Sequence, residues 1–117
     1  LALCPINSST LVMGSCDAGV TIHSNSEAED KLKVAAKYLN LSEHYVKGCC
    51  CPLAVDTEVH KGTDGRLYAI DLSRVLPPQK PERSFPLGHL YRMLRPELVR
   101  TNPVALSSDA GSNFVAG

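Results

Sequence analysis

The clearest alternation of apolar and polar positions runs from Leu53 to Pro78, LAVDTEVHKGTDGRLYAIDLSRVLPP, in two arms on either side of Asp64-Gly65. Such alternation predicts two antiparallel strands, and Asp-Gly between them predicts a two-residue hairpin turn. Pairing Thr63 with Arg66 then sets Val59 opposite Ile70, Thr57 opposite Leu72 and Glu58 opposite Asp71. On this register Val55, Thr57, Val59, Tyr68, Ile70 and Leu72 face inward, whereas Asp56, Glu58, His60, Leu67, Ala69 and Asp71 face out. Two carboxylates across from each other destabilise a strand pair, so an arginine, a metal ion, a raised pKa or an early end to the strand must relieve them.

Upstream, Thr10 to Ser15 and Val20 to Ser24 read as a second hairpin, with Gly19 available for a positive φ at its turn. Ser26 opens a helix, because Ser-x-x-Glu with Glu29 matches a capping box and acids fill the first turn. Ala28, Leu32, Ala35, Ala36 and Leu39 recur at helical spacing, supported by the i,i+4 pairs Glu27–Lys31 and Glu29–Lys33, and Asn40 stops the helix. Leu41 to Gly48 reads as another helical turn capped by Ser42, in which His44 is structural. Asp71 is read as the N-cap of a turn over Ser73 to Leu76 that Pro77-Pro78 ends. Residues 79–86 form a Pro-rich extended connector. From Leu87 a helix is expected to about Leu94, then a short one with Pro96 in its first turn. Residues 107–117, small and polar, read as a flexible tail.

The sum is an α+β chain: an antiparallel β-sheet built from hairpins, packed against one amphipathic helix, with short C-terminal helices. At 117 residues it suits a single domain or a fragment of one, and its start at Leu1 favours a fragment. Charge adds a polarity to this picture. Twelve basic residues balance twelve acids overall, yet residues 1–60 hold four lysines against seven acids and residues 61–117 hold eight basic residues against five acids. The basic half suits a partner surface at Arg74, Arg92, Arg95 and Arg100, but it falls short of the basic stripe of an autonomous nucleic-acid binder.

No apolar run reaches the roughly 20 residues needed to cross a bilayer, and the opening residues lack a secretory pattern, so no membrane insertion is expected. Five cysteines, Cys4, Cys16, Cys49, Cys50 and Cys51, are an odd number in a chain with a competent core. Reduced thiols, a cytoplasmic setting and no disulfide-linked partner follow as expectations. Three adjacent cysteines also lack the spacing of a zinc site, because neighbours on a strand point to opposite faces.

Asp56, Glu58, His60 and Asp71 form one candidate polar cluster, with a metal ion as one way of relieving it. Ser107-Ser108-Asp109 has no histidine near it in sequence and fits no nucleophile elbow, so it is discounted, as is a thiol pair of Cys49 to Cys51 with His44 or His60.

Gly62 to Pro78, with its Gly-x-Asp-Gly-Arg turn, aromatic strand ending in Asp-x-x-Arg and Pro-Pro stop, is followed by His89-Leu90-Tyr91-Arg92-Met93-Leu94-Arg95-Pro96-Glu97-Leu98-Val99. In that order these segments resemble the C-terminal part of the central domain of the clustered-mitochondria (CLU) family. The resemblance implies a cytosolic protein that influences mitochondrial distribution, associates with translation machinery and binds messenger RNA for mitochondrial proteins. Four Tyr and two Phe without interleaved basic residues make a poor stacking platform, so a protein partner is the first expectation, with RNA contact through Arg92, Arg95 and Arg100 the second. No cofactor and no catalysis are expected on this reading. The alternative is enzymatic: Asp-Gly-Arg-Leu-Tyr-Ala-Ile-Asp is similar to the metal-binding strand of kinase-like phosphotransferases, which would make Asp71 a ligand for Mg-ATP.

Overall fold

The computed structural model describes residues 5–79 and 93–112. It is an α+β structure in which the strands β1 (Leu11–Met13), β4 (Glu58–Lys61) and β5 (Leu67–Ile70) form one antiparallel sheet in the order β1-β4-β5. The strands β2 (His44–Val46) and β3 (Cys49–Cys51) form a separate hairpin, and the helices are α1 (Ser26–Leu39) and α2 (Pro96–Thr101).

The central hairpin forms, but one residue out of the expected register. Glu58 lies opposite Ile70, Val59 opposite Ala69, His60 opposite Tyr68 and Lys61 opposite Leu67. Its loop has three residues rather than two: the Gly62 amide donates to the Arg66 carbonyl at 2.9 Å, and the Gly65 amide to the Gly62 carbonyl at 3.0 Å. Gly65 takes a left-handed φ of 79°, and the Asp64 carboxylate accepts the Arg66 amide at 3.0 Å. That is the pattern of a turn followed by a left-handed bulge residue, the next commonest hairpin connection after the two-residue loops. A one-residue slip exchanges the two faces of a strand. Accordingly Leu67, expected outside, packs against the core, while Ile70 and Leu72, expected inside, are 37% and 53% exposed.

Helix α1 begins at Ser26 as expected, but not through the Ser26–Glu29 capping box: its cap is Asn25, whose side chain accepts the Ala28 amide at 3.0 Å. Its buried stripe is Ala28, Leu32 and Ala36, with Leu39 partly buried and Ala35 exposed. These residues meet Met13, Leu41, Leu53, Val59 and Val99 in the main core, so the helix lies on the face of the sheet that carries Val59. A smaller cluster of Val46, Cys51 and Val55 sits under the β2–β3 hairpin.

Asn40 ends α1 at a φ of 59°, and its side-chain amide donates to the carbonyls of Val99 at 2.9 Å and Asn102 at 3.0 Å. One residue therefore stops the first helix and holds the end of the second. Pro96 occupies the first turn of α2, as anticipated. Met93 and Leu94, in contrast, lie outside any helix. The rest of the expected Leu87 to Leu94 helix, and all but Gln79 of the 79–86 connector, lie outside the described residues.

Three further readings are corrected. Leu41 to Gly48 is no helical turn, because Lys47 and Gly48 both take positive φ and close the β2–β3 hairpin with Val46 opposite Cys49. The second arm of the upstream hairpin reduces to one bridge, Gly14 with His23, since Ser15 Oγ and Asp17 Oδ1 capture the Gly19 and Thr21 amides at 2.8 Å each and turn that loop locally. Residues 107–112 are not a loose tail: Ser108, Asp109 and Ser112 are buried.

Candidate functional site

The strongest polar constellation centres on Asp109, whose side chain is 0% exposed. One carboxylate oxygen accepts from Arg74 Nη2 at 2.9 Å. The other accepts from His44 Nε2 at 2.5 Å and from the Val55 amide at 2.9 Å. Arg74, 8% exposed, spans this group and Asp56, which it meets through Nε at 2.8 Å and Nη2 at 3.1 Å. His44 Nδ1 lies 3.0 Å from Ser107 Oγ.

Burial by itself would push the Asp109 carboxyl up, but the His44 hydrogen bond, the Val55 amide and the Arg74 charge outweigh it and hold the group below the usual carboxylate range. Burial likewise disfavours the Arg74 charge, and Asp56 and Asp109 more than offset it. An ionised carboxylate only accepts, so His44 Nε2 carries a proton toward Asp109.

Ser107, His44 and Asp109 thus stand in the order of an acyl-transfer triad, yet the members are spent differently. Arg74 neutralises the second oxygen of the aspartate, and Ser107 Oγ also takes the Asp109 amide at 3.3 Å, closing a local turn. The arrangement is a clasp that fastens residues 107–112 to β2, to Val55 and to the segment after β5.

The candidate cluster Asp56, Glu58, His60 and Asp71 is not assembled. Asp56 belongs to Arg74, whereas Glu58 Oε1 pairs with His60 Nε2 at 2.9 Å and His60 Nδ1 meets Thr10 Oγ1 at 2.8 Å. Asp71, past the end of β5 with a φ of 57°, is exposed and accepts from Ser73 Oγ at 3.2 Å; no helical turn follows it. The register error explains the difference, since Glu58 faces Ile70 instead of Asp71. Among the described residues no group of three or more His, Cys, Asp or Glu is placed to hold a metal ion.

Arg74 also leaves the set of partner-binding arginines, because it is buried and neutralises Asp56 and Asp109 rather than Asp71. Arg92 lies outside the described residues; Arg95, just before α2, and Arg100, on α2, are exposed. Arg100 places its guanidinium 6.0 Å from the centre of the Tyr38 ring. Tyr38 is 79% exposed and Val34, one turn earlier on α1, is 70% exposed. That outward aromatic and its cation form the clearest exposed feature of the two helices.

Two of the thiols, Cys50 and Cys51, are held in the protonated form. Burial pushes Cys51 up to about 12, and burial followed by the nearby Glu43 raises Cys50. Among the described residues every cysteine is free, and no helix is long and apolar enough to cross a membrane.

The role of Asp109 had no local signal: its partners stand 35 to 65 positions away in sequence. A small polar run near the C-terminal end was indistinguishable from a tail until the fold closed it against Arg74.

Comparison with known proteins gives one relative of direct use, a protein of Malassezia globosa named Clustered mitochondria protein homolog. The two are 35% identical over 75 residues, which is 59% of this chain and 6% of the relative's length. No solved structure matches. The family model described as Clustered mitochondria matches residues 2–81, reaching back through α1 and β1 and stopping before the Arg-Pro-Glu-Leu helix. With most of its 117 residues inside that match, the chain belongs to the clustered-mitochondria (CLU) family.

Proposed function

We propose that this chain is a non-catalytic interaction segment of a CLU-family protein, a scaffold piece through which that protein meets translation machinery or messenger RNA and influences the distribution of mitochondria in the cytoplasm. The observation that carries the reading is a division of labour among the polar groups. Inside, Arg74, Asp56, Asp109 and His44 are engaged with one another, which suits structure rather than turnover. Outside, Tyr38, Val34 and Arg100 stand exposed where two helices meet. Exposed aromatics and arginines are the residue types that anchor protein interfaces.

A protein partner is favoured over RNA because a single aromatic with one cation offers little to successive bases or phosphates. The test is recovery of ribosome-associated proteins by the purified chain, with and without ribonuclease and across a salt series. Retention after ribonuclease, with a shallow salt dependence, is the expected result. Loss on ribonuclease with a steep salt slope would reassign the surface to RNA, and absence of any bound protein would overturn the reading.

A further inference from the structure

We propose that the outer edge of β5 is a docking site for an extended segment of a partner protein, which joins the β1-β4-β5 sheet as a fourth strand. This surface is separate from Tyr38 and Arg100; it adds a second contact to the interaction role and rests on that reading.

The strand order leaves β5 paired on one side only among the described residues. Which backbone groups it offers on the other side follows from the hairpin. The Gly62 amide donates to the Arg66 carbonyl, and bonded pairs alternate along an antiparallel ladder, so His60 with Tyr68 and Glu58 with Ile70 are the next bonded pairs. Leu67 and Ala69, opposite Lys61 and Val59, therefore turn their N–H and C=O groups away from β4. Neither makes a further backbone hydrogen bond among the described residues. Two donors and two acceptors, on residues about 6.6 Å apart, form a half-ladder of the kind that another extended backbone completes.

Sequence and exposure agree with this. Edge strands that avoid partners carry lysine, proline or a bulge, whereas β5 reads Leu-Tyr-Ala-Ile and pairs with β4 in unbroken register. Ala69 is exposed, and Ile70 and Leu72 follow it at 37% and 53% exposure. The ionisable groups around the edge are Asp64, Arg66 and Asp71 along the chain and Glu58, His60 and Lys61 on β4. They are mixed in sign, so charge does not select the occupant and the backbone does.

Two other occupants fit less well. A second copy would offer the same edge, but Gly65 and Asp71, with left-handed φ of 79° and 57°, bend the chain away at both ends of β5 and stop a self-pair at the strand's four residues. A continuous extended segment runs past Ile70 and covers Leu72 as well. A phosphate backbone offers acceptors for the two amides but no donor for the two carbonyls. Strand addition uses both, with main-chain bonds supplying affinity and alternate side chains supplying specificity.

The experiment is selection of a displayed library of random peptides, about ten residues long, on the full 117-residue chain, followed by fluorescence anisotropy with the enriched peptides and with oligouridine. Enriched peptides should alternate apolar and polar residues. Methylating alternate backbone amides on the bonded edge of such a peptide should weaken it by at least about tenfold, while methylating the intervening amides should not. On the protein, Ala69→Pro removes one outward N–H without touching a bond to β4 and should weaken binding by a similar factor. Nuclear Overhauser contacts between β4 and β5 check that this variant keeps the hairpin, and the methylated peptides test the edge on the unaltered chain. Enrichment of helix-forming peptides or of none, indifference to methylation at every position, full retention of binding by Ala69→Pro, tighter binding of oligouridine, or dimerisation through this edge would each overturn the proposal. If the edge fails these tests while the chain still recovers ribosome-associated proteins after ribonuclease, the interaction role stands and only this assignment falls.

Discussion

At the scale of single residues, the decisive fact is that Arg74 and Asp109 hold each other's charge in the interior. Removing either partner strands the other, and a buried charge left unpaired is costly: Arg74→Ala or Asp109→Ala should each lower stability by about 3–5 kcal/mol in urea titrations. Asp109 also makes stability pH-dependent. Its folded carboxyl sits below the ordinary 3.8, so the stability it contributes is fully present above that value and is lost as pH falls through the lower folded value. The gap between wild type and Asp109→Asn should therefore hold steady down to about pH 5 and narrow below about pH 4. Asn40 offers a second test. Its left-handed φ favours Gly, but its side chain ties α1 to two α2-end carbonyls. Asn40→Gly should lose only the tie, whereas Asn40→Ala should lose the tie and add about 1 kcal/mol of backbone strain.

At the scale of elements, α1 was more legible than the strands, for a physical reason. Helix α1 carries its signals locally: a capping residue, first-turn acids, apolar residues every three or four positions and Asn40 at the stop. A strand's register depends on its turn, and Asp64-Gly65 supports two loops of different length. The longer prevails here because Asp64 accepts the Arg66 amide and Gly65 supplies the left-handed residue after the turn. The same weakness hid β2–β3, where Lys47-Gly48 adopts a tight hairpin turn without the usual Asn or Asp. Gly65→Ala probes the register argument. The position has room for a Cβ, with no atom within 4 Å, so any loss is conformational. A decrease of about 1–2 kcal/mol is expected, with nuclear Overhauser contacts still placing Val59 opposite Ala69. Gly14 contrasts with it, because a Cβ there would lie 2.1 Å from the Thr57 carbonyl oxygen. Gly14→Ala should accordingly be the more damaging change by the same titration.

At the scale of the whole molecule, residues distant in sequence close the structure. The two sheets share no strand, and Asp109 links them: through His44 it holds β2, through the Val55 amide the segment leading to β4, and through Arg74 the segment leaving β5. Ser108 Oγ adds a short hydrogen bond to the Val75 carbonyl at 2.5 Å. A segment with such contacts is part of the cooperative unit rather than an appendage. Ending the chain after Leu106 removes all of them at once, leaving the buried Val55 amide without its acceptor and His44 without Asp109 and Ser107. Unpaired buried donors cost about 1–3 kcal/mol each, so the truncated chain should be at least as unstable as Asp109→Ala in the full chain. Amide exchange should show where the loss falls, with protection decreasing in both β2–β3 and the β4–β5 hairpin. Equal stability with and without residues 107–117 would mean that the clasp contributes nothing, and that the two sheets are held by their apolar clusters alone.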